Sequence, residues 1–483
     1  MAFGHLEWFS KNFYCFYYEA EMNIDRYFEI SRRGSTITRE IAGGVTTFMA
    51  MSYIIFVQVG ILSLTGMPAG GIIVATCLSA AIASVVMGLW ANYPIALAPG
   101  MGENVCFTFT LCGVGAAAGA FRLQWPEALG LVSISGVLFL LLSFVGFRTY
   151  VLNAIPQSLK AGIAAGIGLL ISAVGLWYGN IVKFNAIGGP GLESMTNNPC
   201  AWLAMCGILL VMILYAFRIH GAVMITLLCC GAGACLMGLI PWPTKIFALP
   251  QGFDKTAGAF IGGFAGITRM LRGSFAMEVV MFTLVLLIMD MFDTIGTLVG
   301  VAGQCGLMKN GKLEKASQAL AADAVGTIIG ASLGTSTVTS FVESAAGVSA
   351  GARTGLAAIV AGACMAAAIF LSPIIQVIGG GIEVTPGAFK YPIIAPALVM
   401  VGAIMLKTIR DINWDDVTEY VPAFITVVIM PLTLSIATGI AAGFIAYAAG
   451  KLLTGKSRQC PAVVYIVAAI FLARYVAGAF LNC

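Results

Sequence analysis

The chain has 483 residues, of which 60% are hydrophobic and only 10% charged, and its apolar runs repeatedly reach the roughly 20 residues that cross a bilayer as a helix. That composition excludes a soluble globular domain and fits an all-α polytopic membrane protein. The net charge of +4 is small and its basic residues are scattered over loops, a topology signal rather than the footprint of a nucleic-acid partner.

Residues 1–40 carry Glu19, Glu21 and Asp25 among aromatics and lack a signal peptide's order of basic, apolar and small residues. They read as a cytoplasmic N-terminal segment. Hydropathy then places spans near 41–64, 70–91, 94–113, 127–147, 158–178, 200–217 and 220–240, a first seven-span repeat over 41–240. A linker rich in Gly, Pro and basic residues fills 241–277. A second repeat over 278–453 follows, with spans near 278–305, 317–333, 336–351, 354–377, 391–407, 420–433 and 434–452. The C-terminal segment 454–483 holds one further apolar stretch, 461–480, which either makes an additional crossing or lies at the interface.

Arg32, Arg33 and Arg39, then Arg148, Arg218, Lys309, Lys312, Lys315, Lys407, Arg410, Lys451, Lys456 and Arg458 fall on one side if the N-terminus is cytoplasmic, as the positive-inside rule asks. Lys245, Lys255, Arg269 and Arg272 fall on the other side. An odd number of spans per half makes the halves inverted copies, the architecture of many secondary transporters.

Two segments are poor spanning helices, and both stand third in their half. The stretch 94–104 carries Pro94, Pro99, Gly100 and Gly102, which interrupt helical hydrogen bonding. The stretch 334–347 opens with a hydroxyl-rich run, 335–340, and continues to Glu343. Irregular backbone at membrane depth survives only where protein buries it or it lines a wet cavity, so the pair points to a binding site.

A charge at bilayer depth costs at least about 2.5 kcal/mol, so intramembrane acids mark solute or ion paths. Asp290, Asp293 and Thr297 follow i, i+3, i+7 spacing within the apolar run 281–301, which predicts a common helix face turned toward a polar cavity. Glu343 follows the hydroxyl run, Glu103 sits beside Asn104, and Asp323, six residues into the ninth span, takes either a structural or coupling role that holds the half-helices or a place nearer the substrate. Phe107 and Phe341 are candidate stacking faces. A small planar heterocycle suits such a site, because a carboxylate takes two of its hydrogen bonds while an aromatic ring covers its face. Composition alone leaves a nucleobase, a sugar and a metal cation open; an inorganic anion would be repelled.

The thirteen cysteines lack zinc or disulfide spacing. The two histidines are His5, in the N-terminal region, and His220, in a short loop, so proton chemistry in the membrane falls to carboxylates. No metal, cofactor or membrane-embedded enzyme is expected.

Four motifs carry a family resemblance: Ala98-Pro-Gly-Met-Gly-Glu-Asn104, Asp290-Met-Phe-Asp293-Thr-Ile-Gly-Thr-Leu-Val-Gly300, Thr339-Ser-Phe-Val-Glu343-Ser and Tyr420-Val-Pro-Ala-Phe-Ile-Thr-Val-Val-Ile-Met-Pro-Leu-Thr. In order, over about 31–480, the chain resembles the AzgA-type purine permeases of the nucleobase/cation symporter (nucleobase–ascorbate transporter-like) family, carriers of guanine, hypoxanthine and adenine. The resemblance implies fourteen spans as a 7+7 inverted repeat. Spans 1–4 and 8–11 would form a core and spans 5–7 and 12–14 a gate, with short strands in the third and tenth spans pairing beside the base.

It also implies purine hydrogen bonding by Asp290, Asp293 and Glu343, support from Asn104 and the Ser344 neighbourhood, and a buried family acid at Asp323. Elevator-like motion, proton symport, a homodimer through the gate and residence in a plasma membrane, the inner membrane in bacteria, are implied as well. Typical members read Gly-Met-Gly-Leu-Asn-Ala-Phe-Phe where this chain reads Gly100-Met-Gly-Glu103-Asn104-Val-Cys-Phe107, so Glu103 is an additional acid. Alternatives on the same scaffold are a xanthine or pyrimidine (uracil) permease and an anion transporter, the last disfavoured by Glu103 and Glu343.

Overall fold

The computed structural model describes residues 22–114, 122–145, 155–185, 189–272, 275–309, 312–385 and 388–481. His5, Glu19, Glu21 and Arg148 lie outside them. The first half runs α1 (Ile37–Met51), α2 (Tyr53–Leu62), α3 (Ala69–Val86), strand β1 (Leu97–Pro99), α4 (Met101–Val105, helical on to Leu111), α5 (Trp125–Val145) and α6 (Gln157–Tyr178). The hairpin β2 (Val182–Asn185) and β3 (Gly189–Leu192) follows, then α7 (Pro199–Ala216) and α8 (Ala222–Leu236).

Two helices, α9 (Phe253–Thr256) and α10 (Ala259–Leu271), make up the linker. The second half runs α11 (Ala276–Gln304), the hairpin β4 (Met308–Lys309) and β5 (Lys312–Leu313), α12 (Ala316–Leu333), strand β6 (Val338–Ser340), α13 (Ser344–Ser349), α14 (Gly355–Ala368) and α15 (Ser372–Gly379). After the hairpin β7 (Ile382–Thr385) and β8 (Ala388–Lys390) come α16 (Ala395–Met405), α17 (Val417–Thr433), α18 (Ile436–Leu453) and α19 (Ala462–Leu481).

Among the described residues, seven helices are long and apolar enough to cross a bilayer. The expected third and tenth spans are instead a strand followed by a short helix, and the expected eleventh breaks between α14 and α15. The first span begins earlier than hydropathy suggests. Thr36 caps α1 by accepting from the Arg39 N–H, and Glu40, fully buried, accepts the Arg353 and Thr354 backbone N–H groups at 2.8 and 3.1 Å. Those N–H groups belong to Thr354, which caps α14 through its own side chain, and to Arg353 before it, so an acid that lowers hydropathy satisfies backbone donors at a helix start in the other repeat.

The halves interlock rather than stand side by side. Helices α1, α3 and α5 pack on α12 and α14, while α6 and α7 pack on α16 and α17. Close approach depends on glycine: a Cβ on Gly355 would overlap the Gly88 carbonyl oxygen. Backbone cannot yield as a side chain does, so Gly355→Leu should leave little monodisperse protein on gel filtration. Gly450→Leu, where nothing lies within 4 Å of the added atom, should be tolerated.

The linker lies across the ends of α3, α5 and α12, where Gly70, Gly130 and Gly334 abut it. At the opposite end an ion cluster joins α17 to α18. The buried Lys451 Nζ stands 2.7 Å from Glu419 and 3.6 Å from Asp416, Tyr447 donates to Glu419 at 2.6 Å, and Lys456 donates to Asp416 at 2.8 Å. The Lys456 bond, with those from Thr418, holds the Asp416 carboxyl well below the usual carboxylate range. Helix α19 then turns back along α18, with Phe471 edge-on to Phe444 at 6.1 Å. Arg474 and Tyr475 line one cavity with Ser435 at the start of α18, so this helix runs along the bundle and does not lie across its end.

Candidate functional site

The two broken segments meet. Strands β1 and β6 pair antiparallel, with Leu97 opposite Ser340, Ala98 opposite Thr339 and Pro99 opposite Val338. The pairing continues through Gly100 N–H to Thr337 O and Phe341 N–H to Ala96 O, each at 3.0 Å. Ser344 accepts the Ala96 N–H at 3.0 Å, and the Ser84 hydroxyl accepts the Leu97 N–H at 2.9 Å. Backbone donors that helix would otherwise satisfy are met by this ladder and by hydroxyls, as apolar surroundings demand.

Of the five candidate acids, Asp293 and Glu343 are partly exposed, while Glu103, Asp290 and Asp323 are buried. Asp293 lies on α11, and Glu343 immediately precedes α13 on the turn after β6. Helix α11 packs against both β6 and α13, the elements that flank Glu343. From Asp293 an open face runs to the end of α11 through Gly296, Val299 and Gly300, with nothing within 4 Å of an added Cβ at either glycine. The preceding part of α11 is mostly buried. Asp293 thus stands where the buried part of α11 gives way to its accessible last turns, and this border, packed against β6 and α13, is the candidate cleft.

The other predicted residues are placed differently. Asp290 is 1% exposed and accepts the Thr327 hydroxyl of α12 at 3.1 Å, so the expected common face divides, with Asp290 in the helix interface and Asp293 in the cleft. Thr297 is also buried. Asp323 accepts the hydroxyls of Thr294 at 2.6 Å and Ser340 at 2.9 Å, and Thr294 stands 3.0 Å from Thr339. Asn104 bonds to Gln58 and Ser336, and Gln58 donates to Thr335 at 2.7 Å. Glu103, 2% exposed, folds back over Gly100, where an added Cβ would overlap it. Its place in the first turn of α4 suits a negative charge at a helix N-terminus.

Phe107 and Phe341 are enclosed in the core and present no open face. The ring that does meet the site is Tyr53 at the start of α2, whose hydroxyl donates to Glu343 Oε1 at 2.6 Å. Sequence reasoning missed Tyr53, and also Gln58, although Gln58 is the lone amide in the apolar run of α2. A separate cavity of about 190 Å³ lies between Phe109, Met281, Thr433 and Arg474, away from these carboxylates.

The model of the permease family named Xan_ur_permease matches residues 38–442. A putative permease of Methanocaldococcus jannaschii is 41% identical, covering 94% of this chain and 98% of its own length. A guanine/hypoxanthine permease of Bacillus subtilis is 39% identical over 93% of this chain and 99% of its own, and an adenine permease of Escherichia coli 36% over 94% and 96%. The transmembrane domain of a cyanobacterial bicarbonate transporter superposes with a TM-score of 0.55 at 13% identity, covering 85% of this chain and 97% of that one. That likeness shows the inverted-repeat fold of core and gate. The chain thus belongs to the Xan_ur_permease family, among the AzgA-type nucleobase permeases.

Proposed function

We propose that the protein is a proton-coupled permease for purine nucleobases. The observation that carries this reading is the pairing of β1 with β6, beside which lie two partly exposed acids, Asp293 on α11 and Glu343 on the turn after β6. A neutral base with N–H donors satisfies such acceptors, and an acid there can take up a proton with the base and release both together. Purine permeases among the relatives support the substrate class.

In this reading Asp293 and Glu343 contact the base. Asp290, Asn104, Ser344 and Asp323 hold the crossing strands in place. By the positive-inside rule the N-terminus lies on the cytoplasmic side of a plasma membrane. Transport proceeds by elevator-like sliding of core against gate, with homodimers formed through the gate. An anion substrate is disfavoured, because Glu103 and Glu343 stand at the helix starts where an anion would otherwise bind.

The test is uptake of labelled guanine and adenine with and without a protonophore, followed by competition with unlabelled bases. Saturable purine uptake that collapses with the proton gradient is expected. Uptake unaffected by the protonophore would refute the coupling, and no uptake of any purine would refute the substrate class.

A further inference from the structure

We propose that Tyr53 is a positioning residue that keeps Glu343 a hydrogen-bond acceptor and so selects bases whose edge presents adjacent N–H donors. This inference rests on the purine-permease reading above. Tyr53 follows Ser52, the joint between α1 and α2, and is 2% exposed, yet its hydroxyl reaches a carboxylate from the other repeat at 2.6 Å. That distance belongs to the short, charge-assisted class of O–H donors on carboxylates.

A phenol can donate one proton, and here the proton is committed to Glu343. An ionised carboxylate only accepts, with about four lone-pair positions, so one bond to Tyr53 leaves capacity for a solute. The same bond restricts rotation of the carboxylate, which fixes where its remaining lone pairs point.

With Glu343 as the acceptor, the coupling proton falls to Asp293, the other partly exposed acid among the five candidates. A guanine-type edge places a ring N–H beside an exocyclic amino group, and a carboxylate accepts both. An adenine-type edge sets a ring nitrogen lone pair beside its amino group, which opposes one lone pair to another. Hypoxanthine, lacking the 2-amino group, falls between them.

The experiment compares guanine and adenine uptake by wild type, Tyr53→Phe, Tyr53→His, Glu343→Gln and the Tyr53→Phe/Glu343→Gln double variant, each normalised to membrane abundance. Tyr53→Phe keeps the packed ring and should raise the guanine KM about tenfold with little change in kcat, as expected for loss of one bond to a charged group. The preference for guanine over adenine should fall by a similar factor. Tyr53→His, which retains an N–H donor, should recover part of both, and carries the test if the phenylalanine variant fails to reach the membrane.

On the Glu343→Gln background the Tyr53 change should have no further effect on selectivity, because the pair acts as a unit. An unchanged guanine KM and preference in Tyr53→Phe would overturn the assignment while leaving the permease reading intact. So would a full Tyr53 effect in the double variant. Absence of purine uptake by wild type would instead sink the permease reading and this inference with it.

Discussion

Glu343→Ala should reduce uptake of every purine at least about a hundredfold, with the amount of protein in the membrane close to wild type. Bonds to charged groups contribute roughly 1.5–3 kcal/mol each, and a base edge that makes two of them loses about 3 kcal/mol or more, which exceeds a factor of one hundred. The side chain is partly exposed and lies outside the helix ladder, so its removal spares the packing. It does strand the Tyr53 hydroxyl, whose lost partner costs about 1–3 kcal/mol of stability and should appear as a modest fall in thermal midpoint. Initial-rate uptake of labelled guanine, normalised to a fluorescent fusion, reads the first effect; retained uptake of all purines would sink the assignment.

Asp323→Ala should act on the fold instead. Asp323 is fully buried between α11, α12 and β6 and accepts hydroxyls from Thr294 and Ser340. Alanine leaves both hydroxyls without that acceptor inside the protein, a loss of about 2–4 kcal/mol. The thermal midpoint in detergent should fall by several degrees, and Asp323→Asn should recover part of the loss. Asp293→Ala is the contrasting case, abolishing uptake with a nearly unchanged midpoint, since its carboxylate faces the cleft. Equal midpoints for Asp323→Ala and wild type would remove the structural role.

Much of this protein was legible before any coordinates because the bilayer narrows the choices. Long apolar runs must be helices, and backbone that is not helical must be enclosed, so Pro94, Pro99 and the hydroxyl run 335–340 located the paired strands. Spacing could not separate Asp290 from Asp293. Residues i and i+3 share a helix face only within about 60°, and that angle decides whether a carboxylate meets Thr327 of a neighbouring helix or the open cleft.

The four motifs placed the chain among nucleobase permeases, yet they contain neither Tyr53 nor Gln58. Both lie in α2, where a tyrosine or a single glutamine in an apolar run reads as packing until the other half of the chain is seen against it. The partners, Glu343 and Thr335, lie 290 and 277 residues away.

The sequence by itself determined the membrane class, the positions of most helices, the two breaks and the family, because hydropathy and helix-breaking residues act locally and the bilayer allows few responses to them. Only the tertiary structure decided which acids are partly exposed, that Glu40 binds the backbone at the start of a helix in the opposite repeat, and that α19 runs along α18. Those outcomes depend on how inverted halves interlock, a matter of contacts between residues hundreds of positions apart that no local pattern encodes.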